Sequence, residues 1–248
     1  MLVALPFWYK LTSFVVLGAI WGSFVAALCS RWLTGQQISH GRSRCDSCQV
    51  MLAPKDLMPV LSYVWLKGKC RYCNHGIGVG ALYTELASVS IGLWAILMLP
   101  MGMAVAAAVL GWLLLPLAIL DYQRLWLPNR LVLVLAVVGI IGGYFLVPEL
   151  PWTDRAIGGI FGFLSLELVR YGFRKLRNVE GMGGGDPKLF GAIGIWLGWQ
   201  LLPTILLLAC VFGFAFVAMA HTRQDKSVLR LPFGAFLCVA AFLLAVVS

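Results

Sequence analysis

The sequence predicts an all-α polytopic membrane protein of about eight transmembrane helices, with one small polar insert between the first two. Three observations carry this. Of the 248 residues, 61% are hydrophobic and 12% charged, with mean hydropathy +0.90, where a soluble domain averages about 45–50% and about 25%. Apolar stretches near the roughly 20 residues that a spanning helix needs recur along the chain. Only one polar segment of any size interrupts them, at 31–78. A soluble fold of this composition would leave too much apolar surface in water.

Taken in order, the predicted spans are 11–30, 79–99, 101–120, 131–147, 156–173, 188–202, 204–220 and 232–248. The opening "MLVALPFWYK" lacks a basic start, and the stretch after it lacks a small-residue cleavage site. It is therefore expected to stay as a helix rather than be removed as a signal. Pro100, Pro148, Pro151, Pro203 and Pro232 punctuate the breaks, because proline removes a helix donor. Residues 188–220 could be read as one kinked helix, but about 33 residues at 1.5 Å each overshoot a bilayer. The stretch is divided at Pro203 for that reason. The expected domains are a first transmembrane helix (1–30), an insert (31–78) and a membrane domain (79–248).

Orientation follows from the basic residues. Of the 19 Lys and Arg, all but Lys10 and Arg155 fall on one set of alternate loops. The positive-inside rule places that set in the cytoplasm and both termini outside. The net charge of +9 is thus a topology signal. It calls for no nucleic-acid partner, and it favours anionic membrane lipid.

The insert, placed in the cytoplasm, is too small to bury a large core unaided. It carries "CDSC" (Cys45, Cys48) and "CRYC" (Cys70, Cys73), two C-x-x-C pairs separated by 21 residues. Thiolates on two tight knuckles can converge on one tetrahedral Zn²⁺. Two disulfides are the alternative, disfavoured in a reducing cytoplasm. A redox C-x-x-C would want a βαβ context that the sequence lacks. With four thiolates no ligand position stays open, so the expected zinc is structural. Cys29, Cys210 and Cys238 sit in apolar runs and read as small core residues.

Ten acids are present, and four fall at or inside predicted spans: Glu85, Asp121, Glu167 and Asp186. An acid in a membrane segment costs several kcal/mol unless paired or wetted, so each is a functional candidate. Asp121 ends the third span in "AILDYQRLWLPNRL", and Asp186 precedes the sixth in "VEGMGGGDPKLFGAIG". Both are expected at cytoplasmic helix ends and at similar depth, where they could meet. Two close carboxylates can share one proton and act as general base and general acid. The glycines beside Asp186 would admit a substrate backbone or allow φ > 0. Lys188 and the following helix start favour a charge on Asp186, whereas the helix end at Asp121 disfavours one. On that argument Asp186 holds the charge and Asp121 the shared proton.

Blander readings stand beside these. Asp121 alone would be an interfacial acid. Glu167 reads as a structural partner of Arg170 one turn on. Glu85 reads as an anchor for the insert. A Gly-rich loop at a helix start can bind phosphate, but no G-x-x-x-x-G-K-[ST] pattern is present and Asp186 would repel it.

At this point the residues resemble the type IV prepilin peptidases, membrane aspartic proteases of the GxGD type. "GSFVAALCSR" (22–31) is similar to the family's G-S-F-x-N-V segment. "KDLMPVLSYVWLKGKCRYC" (55–73) is similar to its D-N-I-P…G-x-C-x-x-C segment. Asp121 through "LPN" looks like the first catalytic segment. "GMGGGDPKL", with Gly183, Gly185, Asp186 and Lys188, looks like G-M-G-x-G-D-x-K-L. "LPFG" (231–234) looks like the last-helix segment. A lone G-x-G-D would be weak; five segments in order along nearly the whole chain are specific. Ala26, Leu57, Ala81 and Leu82 depart from the family pattern, all in the N-terminal third, while Glu85 is kept.

The resemblance implies an inner-membrane enzyme with Asp121 and Asp186 as catalytic acids and Gly183, Gly185 and Lys188 supporting the loop. Its substrates would be prepilin or pseudopilin precursors of type IV pilus or type II secretion systems. It would remove their short basic leader at the cytoplasmic face, after a glycine. N-methylation of the new N-terminus from S-adenosylmethionine would follow, with the zinc insert tied to that step. Glu85 and Glu180 are the candidate contacts for the basic leader. Rival readings are a peptidase that does not methylate, a non-enzymatic zinc-knuckle scaffold, and an ion-coupled transporter. The scaffold leaves both aspartates without a role, and the transporter predicts an internal repeat that the sequence lacks.

Overall fold

The computed structural model describes residues 6–33, 45, 47–51, 53, 61–76, 78–177, 183–222 and 231–247. Their ordered elements are helices, apart from an isolated antiparallel bridge between Lys69 and Gly76. In chain order these are α1 (Phe7–Leu33), α2 (Leu61–Trp65), α3 (Gly80–Met98), α4 (Met101–Arg124) and α5 (Asn129–Leu146). They are followed by α6 (Trp152–Arg177), α7 (Asp186–Leu197), α8 (Leu202–Thr222) and α9 (Phe233–Val247). Each of the eight predicted spans corresponds to one of these helices, and α2 is an added single turn in the insert.

Six of them are long and apolar enough to cross a membrane: α1, α3, α4, α5, α6 and α8. Length and hydropathy among the described residues thus support six of the eight expected spans. At 15 residues α9 is shorter than a span, and α7 has only 12, roughly 18 Å at 1.5 Å per residue against a core of about 30 Å. The reason lies in what surrounds α7. Nearly all its side chains are buried, from Asp186 and Pro187 through Leu197, so protein rather than lipid sets its length.

The chain divides into two compact units, Met1–Leu97 and Met98–Ser248. In the first, α3 stacks on α1 through a G-x-x-x-G pair. A Cβ on Gly18 would lie 2.9 Å from Ser88 O, and one on Gly22 would lie 2.6 Å from Glu85 Cα. Small residues let membrane helices approach this closely without a hydrophobic driving force. In this division α3 falls in the same unit as α1.

In the second unit α7 is the centre, flanked by α5, α6 and α9. Its contact with α6 is glycine on glycine. A Cβ on Gly158 would fall 2.5 Å from Gly194 O, and one on Gly162 2.9 Å from Phe190 O. On the α5 side, the fully buried Trp196 fills the space above Gly139 and donates Nε1–H to Leu135 O at 2.9 Å. The break that follows α7 uses Gly198 at φ +78, a left-handed position suited to glycine. The division before Pro203 is therefore real.

Arg155 was read as one of two basic residues on the outer side. It is 2% exposed and closes the ends of two helices. Its Nη1 donates to Trp196 O (2.8 Å) at the end of α7, and its Nη2 to Val147 O (2.6 Å) at the end of α5. A fixed cation satisfies carbonyls that a helix end leaves unpaired and complements the helix dipoles.

Candidate active site and metal centre

Asp121 lies in the last turn of α4. Its backbone carbonyl accepts the N–H of Leu125 (2.8 Å), whose left-handed φ of 52 turns the chain back on itself. That turn delivers Leu127, 8% exposed, into the space between two glycines. A Cβ on Gly185 would sit 2.6 Å from Leu127 Cβ, and one on Gly234 would sit 2.9 Å from Leu127 Cδ1. Leu127 therefore sets the spacing between the loop before α7 and the start of α9.

The acids meet there. Asp121 and Asp186 are each 5% exposed. A Cβ on Gly234 would lie 3.0 Å from Asp121 Oδ2 and 3.0 Å from Asp186 Oδ1. The two oxygens are thus no further apart than twice that distance. The N–H of Ala235 donates to Asp121 Oδ2 at 2.9 Å, and the Gly234 amide also faces it. Asp186 opens α7 and receives the Gly183 amide. Each carboxylate is therefore served by a helix N-terminus, α9 for Asp121 and α7 for Asp186. The contrast drawn from the end of α4 alone disappears, because the side chain reaches a second helix that sequence order hides.

The glycines before Asp186 are present for closeness rather than for left-handed backbone. Gly185 has φ −85 and makes room for Leu127. A Cβ on Gly184 would meet Arg170 Nη1 at 2.5 Å. Arg170 is held in turn by Glu167 Oε1 at 2.8 Å, the structural pair the i,i+3 spacing predicts. Lys188 donates Nζ–H to Asn129 Oδ1 at 2.8 Å, tying α7 to the "LPN" turn. Glu85 is buried on α3 beside Gly22, in the other unit from the acid pair. Glu180 lies outside the described residues. Sequence reasoning marked the segments of Gly234, Leu127 and Asn129 and the Glu167–Arg170 pair, but not their contacts with the loop before α7. Gly234, Leu127 and Asn129 lie in "LPN" and "LPFG", whose pairing only the fold discloses.

The four insert cysteines converge as expected. All seven cysteines are free thiols, and the sulfurs of Cys45, Cys48, Cys70 and Cys73 lie within 4.8 Å of one another. Cys45 and Cys73 Sγ are 3.8 Å apart, about the edge of a tetrahedron with Zn–S near 2.3 Å. Both knuckles share one hydrogen-bond pattern. The amide of Cys45 donates to Val50 O and that of Gln49 to Cys45 O; the amide of Cys70 donates to His75 O and that of Asn74 to Cys70 O. The residue after each pair is left-handed, Gln49 at φ 59 and Asn74 at φ 55. Amide donation from Cys48 and Ser47 brings the Cys45 thiol down to about 6. Against the Val50 amide, burial and the neighbouring thiols push that of Cys48 up to about 11, so the cluster gives up its protons in steps rather than together. The donor set fits Zn²⁺, and four thiolates leave no position for a substrate.

Residues 108–218 match the type IV leader peptidase family, and residues 16–99 match the bacterial peptidase A24 N-terminal domain. A protein of Aeromonas salmonicida strain A449 is 35% identical over 211 residues, covering 82% of this chain and 70% of that protein. One of Burkholderia pseudomallei strain K96243 is 35% identical over 265 residues, covering 94% and 84%. One of Pseudomonas aeruginosa is 36% identical over 204 residues, covering 81% and 70%. Each of the three is named a prepilin leader peptidase/N-methyltransferase. No solved structure matches the chain significantly. With relatives of this identity aligned over most of its length, the chain belongs to the type IV leader peptidase family.

Proposed function

We propose that the protein is an aspartic endopeptidase that removes the leader of prepilin or pseudopilin precursors, with Asp121 and Asp186 as the reacting acids. One observation carries this: two buried carboxylates whose oxygens approach the same point above Gly234. A water held between them loses a proton to the ionised carboxylate as its oxygen bonds to the scissile carbonyl carbon. The protonated carboxyl then gives its proton to the leaving nitrogen as the C–N bond breaks. One water is added, and the two acids have exchanged their proton. Any titration reports the pair rather than either residue.

The names of the relatives support methylation of the new N-terminus as a second activity, with S-adenosylmethionine as donor. The residues described here are assigned to cleavage alone. The Cys45–Cys48–Cys70–Cys73 centre would hold the insert in shape. The basic loops support cleavage at the cytoplasmic face of a bacterial inner membrane. Glu85 and Glu180 are the proposed contacts for a basic leader.

The test is mass spectrometry of a leader-bearing prepilin incubated with purified protein and S-adenosylmethionine. A product lacking the leader and carrying one added methyl group is expected. Cleavage without the methyl group would restrict the protein to peptidase activity, in line with Ala26 and Leu57. An uncut precursor would sink the assignment.

A further inference from the structure

A groove of about 440 Å³ runs along the second unit between α5, α6 and α7, within the roughly 300–1,000 Å³ of small-molecule sites. From α5 it is lined by Asn129 and Leu133, from α7 by Lys188, Ala192 and Ile195, and from α6 by Phe163. Contributions at i and i+4 on two adjacent helices make it a trench parallel to their axes. Its walls are apolar over most of their length, and its polar groups are gathered at one end.

That end is built to receive an acceptor with negative charge. Lys188 Nζ spends one hydrogen on Asn129 Oδ1 and keeps two donors. Asn129, whose Oδ1 accepts from Lys188, carries an NH₂ as a further donor at that end. Asn129 is the first residue of α5 and Lys188 lies in the first turn of α7, so two helix N-termini converge there. Asp186 does not oppose this charge. It is buried beside Gly234, two positions and about 200° round the helix from Lys188.

We infer that this groove is a site for an anionic phospholipid, with the headgroup phosphate on Lys188 and Asn129 and an acyl chain along Leu133, Phe163 and Ile195. Charge at one end and apolar walls in the rest match an amphiphile with an anionic head. The flanking helices α5 and α6 are membrane spans by length and hydropathy, so the groove lies where lipid is the solvent. The site is separate from the acid pair, and its existence does not depend on the peptidase reading.

The full-length protein is reconstituted in phosphatidylcholine vesicles containing a trace of phosphatidylglycerol with a photoreactive acyl chain, and the crosslinks are mapped by mass spectrometry. Crosslinks concentrated on Leu133, Phe163 and Ile195 are expected. Unlabelled phosphatidylglycerol should compete and phosphatidylcholine should not. Lys188→Gln should lower capture about fivefold, the weight of one basic residue at an anionic membrane surface, and Lys188→Arg should restore it. Ala136→Phe, which fills the same groove without changing its charge, should abolish the groove crosslinks if Lys188→Gln does not fold. Crosslinks scattered over all lipid faces, or equal competition by both lipids, would overturn the inference. Capture of a prepilin segment rather than lipid by a photoreactive group at position 133 would also overturn it.

Discussion

The amide of Ala235 donates to Asp121 Oδ2 across 2.9 Å, joining positions 114 residues apart. The start of α9 thereby fixes an acid at the end of α4. Gly234, the residue before it, faces both carboxylates: a Cβ there would lie 3.0 Å from an oxygen of each.

Asp121→Asn and Asp186→Asn are each expected to abolish cleavage while leaving membrane insertion intact, since neither acid can take both proton-transfer roles. Gly234→Ala should be nearly as damaging. Its methyl group would lie 3.0 Å from both carboxylate oxygens, where the water must sit. A fall in kcat of about 10²-fold with little change in KM is expected. Wild-type turnover in Gly234→Ala would remove that point from the reaction.

The three consecutive glycines should differ. A methyl group on Gly183 makes ordinary contact at 3.4 Å, and one on Gly184 meets only the movable tip of Arg170. Both alanine variants should keep activity within about threefold. Gly185→Ala would press on Leu127 Cβ at 2.6 Å and should inactivate, because overpacking typically costs about 1–3 kcal/mol and here it moves the loop that carries Asp186. Equal activity in all three variants would refute the closeness argument.

Cys45→Ser or Cys73→Ser should release zinc, since a structural site needs its full set of thiolates. Metal analysis of the purified proteins reads this directly. Cys210→Ser, on the exposed side of α8, should leave zinc unchanged. A reduced wild-type protein without zinc would end the assignment.

Arg155→Leu should lower stability by about 2–4 kcal/mol, because the carbonyls of Trp196 and Val147 lose charged donors. Arg155→Lys should recover only part, since one ammonium cannot copy the planar fork. Thermal unfolding in detergent reads both. An unshifted midpoint in Arg155→Leu would mean that the buried guanidinium stabilises nothing.

Glu180→Gln should raise KM several-fold with little effect on kcat, the signature of lost uniform binding. Raised salt should bring the wild type towards the variant. A fall in kcat alone would place Glu180 in the chemistry instead.

Much of this was legible beforehand, and the limits are physical. Membrane spans are written in runs of apolar residues, so the positions of α1, α3, α4, α5, α6 and α8 could be read directly. The length of α7 could not be read, because an apolar run does not show where protein on all sides lets a helix stop short. The role of Arg155 could not be read, because its partners are main-chain carbonyls, which leave no trace in side-chain identity. The cysteine centre was readable because two short loops encode nearly all its geometry. Asp121 and Asp186 could be picked out as costly acids. Their shared neighbour Gly234 could not, because its role comes from packing across three segments.

The dependence of Asp121 on α9 orders events during biosynthesis. While the ribosome is still making the chain, α4 and α7 can be in the membrane with both acids present, yet the amides that hold one of them do not exist. A chain stopping at Thr222 should insert and remain silent towards prepilin. Supplying α9 as a separate peptide should restore cleavage, which would make a helix synthesised after both acids the switch for the proposed activity.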